Sequence, residues 1–134
     1  MNNIFQNDDI GKLIMRLMIG FLMLFHGVAK IINLGSLEFI QGQLINYNLP
    51  EMLVYGVYIG EIIAPLMIVI GVFTRIGGLI IFVNMIFAIY LVHAHEIVGL
   101  GPHGGWAIEL QGFYLFGALA IMFLGSGKIA VRPD

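Results

Sequence analysis

Four long apolar stretches constrain this chain more than anything else in it. They run over residues 10–32, 52–73, 76–94 and 106–124, each close to the roughly 20 residues a helix needs to cross the hydrocarbon of a bilayer. The stretches are continuously apolar rather than alternating. Lipid tolerates no unpaired backbone, so helices are expected and a barrel is not. Only 10% of the residues are charged, against roughly 25% in soluble domains, too few for a soluble fold to cover its surface. The expected fold is all-α: one membrane domain over residues 1–134, built as a four-helix bundle.

The opening stretch invites comparison with a signal peptide, because Gly27, Val28 and Ala29 have the small size a peptidase favours. Asp8 and Asp9 stand where a basic cluster belongs, and Arg16 interrupts the apolar run, so a retained helix is expected. Four crossings would place both termini and the Thr74–Arg75 turn on one side with Lys12, Arg16, Arg75, Lys128 and Arg132, leaving only Lys30 on the other. The positive-inside rule then makes both termini cytoplasmic. Tyr47, Tyr55, Tyr58 and Trp106 would form an aromatic belt at the opposite boundary. The connections on that side, residues 33–51 and 96–105, are the long ones.

Several function classes fall away early. A net charge of −2 gives no sign of nucleic-acid binding. There is no cysteine, which removes disulfides, thiolate metal sites and self-contained thiol chemistry. His93 and His95 are two apart and point to different faces of a regular helix, so no metal site is expected. The glycine-rich segment 99–105 lacks the strand, helix start and lysine of a phosphate loop.

Ionisable residues inside spanning segments each need a reason, since Arg, Lys or Asp at a helix centre costs about 2.5–3.5 kcal/mol on insertion scales. Arg16, Gly20, Met23, Gly27 and Lys30 recur at spacings of four, three, four and three, which lines them up on one face. Glu61 lies near mid-membrane among Gly56, Gly60 and Ala64, small residues that let another helix approach. Pro65 cannot donate to the carbonyl of Glu61. In the fourth stretch Trp106, Glu109, Gly112, Phe116 and Ala120 read as one inward face. Depth along the helices gathers His26, Glu61 and Glu109 into a polar pocket with Glu61 at its floor. Lys30, His93, His95 and His103 stand at its outer rim, while Arg16 stands apart about two turns from the cytoplasmic end. His26, Glu61 and Glu109 are the candidates for moving protons. Arg16, Lys30 and His93 are the candidates for binding a quinone or other polar ligand. Each has a plainer reading: Arg16 and Lys30 could snorkel to the two interfaces, Glu61 could fasten helices, and Glu109 could be an acid favoured by the helix dipole.

The ordered set Arg16, Gly20, Phe25, His26, Gly27, Lys30, then Gly60, Glu61, Gly71, Thr74, Arg75, then Gly105, Trp106, Glu109 and Gly125 to Lys128 resembles the DoxX family. The resemblance spans roughly residues 10–128. It implies a four-helix inner-membrane protein of bacteria or archaea, related to the small membrane subunit of thiosulfate:quinone oxidoreductase. It points at Arg16, Lys30, Glu61, Arg75 and Glu109. The tail departs from the family pattern, in which a Ser-x-Asp follows the glycine pair; here Gly127 leads into Lys128 and on to Asp134. The expected function is a quinone-linked or redox-associated membrane subunit working with a partner oxidoreductase, or as a homo-oligomer. The alternatives are a non-catalytic membrane anchor and a small solute or proton carrier.

Overall fold

In the computed structural model, which describes residues 4–134, five helices carry the chain: α1 (Asp8–Ile32), α2 (Gly35–Asn46), α3 (Glu51–Ile70), α4 (Thr74–Glu96) and α5 (Glu109–Leu124). Among the described residues there is no strand beyond two isolated bridges, Val72 to Arg132 and Leu100 to Trp106. Helices α1, α3 and α4 are long and apolar enough to cross a membrane. With 16 residues, α5 is only about 24 Å long, short of the roughly 30 Å of hydrocarbon.

Local chemistry sets the ends. The Asn7 side chain accepts from the Ile10 N–H and caps α1, whose first turn carries Asp8 and Asp9 at the positive end of the helix dipole. The second stretch does not run to residue 73 as expected. Gly71 takes φ +79°, which glycine adopts without a Cβ penalty, and α3 stops at Ile70. The fourth helix does not open at Trp106 either. Trp106 pairs its backbone with Leu100 and donates its indole N–H to the Ile97 carbonyl, folding residues 97–106 into a compact loop ahead of α5.

The connection 33–51 contains α2, which the apolar pattern did not reveal. Its Leu37 and Leu44, seven residues apart, are buried with Val54 of α3 and Leu91 of α4. The main core draws on the other four helices: Ile19 and Met23, Ala64 and Ile68, Ile81 and Met85, and Tyr114, Ala118 and Ile121. Outside it, Phe25, Phe113 and Phe123 are each more than 70% exposed. Soluble monomers rarely leave so much large apolar surface uncovered; on these helices it is the surface a bilayer covers.

Helices α1 and α3 approach to backbone distance at two points. A Cβ on Gly27 would overlap the Glu61 carbonyl, and one on Gly20 would overlap Val69 and crowd the Pro65 carbonyl. The buried face of α1 is Arg16, Ile19, Gly20, Met23 and Gly27, as the spacing of its small and charged residues predicts.

Candidate functional site

Wide π-turns interrupt both α3 and α4. In α3 the turn covers Ile59–Ile63, and the Ala64 N–H reaches back five residues to the Ile59 carbonyl. Pro65 follows with no N–H to give to the Glu61 carbonyl, which faces the close approach of Gly27 of α1. In α4 the turn covers Ile89–His93. Such turns insert an extra residue and re-aim side chains, often at functional sites. Here they present Glu61 and His93 to one cavity of about 150 Å³, lined also by Met23, His26, Lys30, Met85, Leu110, Gln111 and Tyr114.

An ion pair forms one wall. Lys30 Nζ donates to Glu61 Oε1 at 2.9 Å and lies 2.9 Å from Oε2. Oε2 has no hydrogen bond among the described residues: the ammonium is near enough for Coulomb attraction but off the direction a hydrogen bond needs. The carboxylate is thus held in place by an ammonium close to both oxygens, and Oε2 keeps room to accept from a further donor. The side chains of Lys30 and Glu61 are 19% and 10% exposed, so Lys30 turns inward to its partner and does not snorkel outward.

On the facing walls, the Gln111 amide nitrogen lies 3.3 Å from His93 Nε2. An amide nitrogen only donates, so this arrangement has Nε2 accepting and assigns the ring the Nδ1–H tautomer. The His26 ring stands edge-on to Tyr114, centroids 5.7 Å apart and planes at 89°. Gln111 and Tyr114 were missed because α5 is apolar all round and its inward face was set from Gly112. The signal was there: Gln111 is the one amide in the helix and Tyr114 follows it by three. Phe116, expected on that face, is 60% exposed.

Two of the expected site residues lie elsewhere. Glu109 is the exposed first residue of α5 and does not line the cavity; its carboxylate sits over Gly105. An acid there is favoured by the helix dipole. Arg16 is 1% exposed at the opposite end. Its guanidinium donates to the carbonyls of Ile68 (2.8 Å), Val69 (3.2 Å), Ser126 (2.9 Å) and Ile129 (2.6 Å). It therefore neither snorkels nor meets the cavity; it ties α1 to the end of α3 and to the C-terminal segment 125–134. That segment is further held by Val131 and Arg132 amides on the Ile70 and Gly71 carbonyls, and by Lys128 N–H on Asp9. Arg75 completes the clamp, donating to the Met122 and Phe123 carbonyls of α5 and to the Asp134 carbonyl.

A second, larger cavity of about 400 Å³ lies across α3 from the first, between α2, α3 and α4. Its walls, including Leu44, Val57, Val83, Phe87 and Leu91, are apolar apart from Asn84, whose side chain fills the space beside Gly60.

Helices of this length and apolarity, with charged groups drawn into an internal pocket, define a small helical membrane protein. The family model DoxX matches residues 11–94, which takes in α1 through most of α4 with Arg16, Lys30, Glu61 and His93. The chain belongs to the DoxX family. Neither curated proteins nor solved structures gave a match.

Proposed function

We propose that this chain is a quinone-linked subunit of the bacterial inner membrane, crossing it four times with both termini in the cytoplasm and serving a partner oxidoreductase. The buried acceptor Glu61 Oε2, ion-paired to Lys30 Nζ but without an aligned hydrogen bond among the described residues, carries this reading. A quinone offers carbonyl oxygens that accept hydrogen bonds, and its reduced form offers hydroxyls that donate them. Lys30 answers the first and Glu61 Oε2 the second, within one cavity wall. Met23, Met85 and Leu110 supply apolar contact for a ring, and about 150 Å³ suits a single-ring head group. The bound quinone would carry the electrons. Glu61 and His26 would take and return the protons, because carboxyl and imidazole groups in a low-dielectric pocket exchange them readily. A fourth crossing by α5, about 24 Å long, would need the bilayer to thin locally around it.

The internal pairing of Lys30 with Glu61 also favours a second reading, a non-catalytic anchor in which the pair fastens α1 to α3. Purification in mild detergent and assay of quinone in the lipid extract separates the two. Near-stoichiometric quinone that falls in Glu61→Gln, with the variant still folded, supports the quinone subunit. Background quinone in both proteins contradicts it and leaves the anchor.

A further inference from the structure

His93 does not merely face the cavity; its ring bridges the cavity and the groups outside it. Nε2 lies against Gln111 on the cavity side. Nδ1 is buried without a hydrogen bond among the described residues, and Glu96 Oε2 is 3.4 Å away. The other carboxylate oxygen of Glu96 lies 3.4 Å from His95 Nε2, whose side chain is 77% exposed. Glu96 itself is 36% exposed. Titratable groups thus run from open water to the cavity wall, and among the described residues Glu96 is the carboxylate paired with His93 Nδ1. The ring's surroundings hold few competitors. The cavity side brings Lys30 and His26 from α1, Glu61 from α3 and Tyr114 from α5. Helix α2, which packs on the last turns of α4, carries only Glu38, and that residue is exposed.

We propose that His93, Glu96 and His95 form a proton relay joining the Glu61 cavity to the aqueous phase at the end of the bundle that holds the long connections. This rests on the reading of the cavity as a site that exchanges protons. Imidazole can bind a proton on one nitrogen while releasing another from the opposite nitrogen, near neutral pH. A proton leaving the cavity binds Nε2 once the Gln111 amide rotates its nitrogen away. The imidazolium then loses its Nδ1 proton to the Glu96 carboxylate, and Glu96 passes it to His95 or directly to water. One proton enters the relay and one leaves it, which leaves the ring as its Nε2–H tautomer. A ring flip then turns the protonated nitrogen toward Glu96 and the bare one toward the cavity, ready for the next transfer. Uptake runs the same steps in reverse. Neither His95 nor Glu96 touches the cavity, so both are positioning and transfer groups rather than catalytic ones.

The test is nitrogen-15 NMR on the full chain in nanodiscs with labelled histidine, for the wild type, Glu96→Gln and Glu96→Asp. The wild type should show His93 as the Nδ1–H tautomer with rapid exchange of its ring proton. Glu96→Gln keeps the shape but cannot accept the proton, so exchange should slow by about tenfold or more. Glu96→Asp should restore most of it. The His26 and His103 signals, with helical circular dichroism, report that each variant is folded. Exchange at wild-type speed in Glu96→Gln overturns the relay, as does equal slowing by Gln and Asp, which would mark a structural contact. None of these readouts needs bound quinone, so the relay and the quinone reading fail separately.

Discussion

A single residue, Gly27, decides how closely α1 meets α3, because any Cβ there overlaps the Glu61 carbonyl. Gly27→Ala is expected to destabilise by about 1–3 kcal/mol, the usual cost of overpacking a tight contact. Gly11 is the control. It lies in the same helix with nothing within 4 Å of an added Cβ, so Gly11→Ala should stabilise by about 0.5–1 kcal/mol. Thermal unfolding in detergent compares the two. The Lys30–Glu61 pair gives a second expectation at this scale. Lys30→Met strands a mostly buried carboxylate and should destabilise, by less than the roughly 3–5 kcal/mol seen when a fully buried pair is broken. Lys30→Met with Glu61→Met together should be less destabilising than the sum of the two singles, as a double-mutant cycle measures. Both residues stood out in the sequence as charges in apolar runs. What the sequence could not show is that they meet, since the pairing depends on the crossing of α1 and α3 at Gly27. Arg16 was legible in the same way, and its depth set it apart from the other polar groups, but what holds it was not legible. Its partners are four backbone carbonyls, and carbonyls leave no mark in a sequence.

At the scale of elements, helix existence was readable and helix ends less so. Length and apolarity announced α1, α3, α4 and α5. Gly71 moved the end of α3, and the Trp106–Leu100 bridge moved the start of α5. Helix α2 was hidden because only Leu37 and Leu44 are buried on it, too few to set a period against Gly42, Gln41 and Asn46. The π-turns were equally hidden: Pro65 announced a lost donor at Glu61 but not the extra residue inserted before it. The C-terminal segment provides the prediction at this scale. With Arg16→Lys, one ammonium replaces a fork that reaches four carbonyls. Amide exchange at Val131 and Arg132 should then quicken by about tenfold or more, since hydrogen bonds to charged groups contribute about 1.5–3 kcal/mol. Unchanged protection there would show that Arg75 and Lys128 hold the segment unaided.

For the whole molecule, the arrangement in the membrane is the expectation that can be tested without knowing a ligand. The chain has no cysteine, so a single one can be introduced at each end. With four crossings and cytoplasmic termini, Lys128→Cys should react with a membrane-impermeant thiol reagent only after cells are opened, and His103→Cys should react in intact cells. Labelling of both from the same side would remove the fourth crossing and leave α5 in the interface.

The central question is whether a quinone binds beside the Lys30–Glu61 pair. Photo-crosslinking of an azido-quinone to the protein in nanodiscs, read by mass spectrometry, asks this directly. The expected result is adducts around the Lys30–Glu61 pair, on Met23, Met85, Gln111 or Tyr114, that are lost in Glu61→Gln. Adducts confined to the apolar cavity at Val83, Phe87 and Leu91, and indifferent to Glu61, would contradict it.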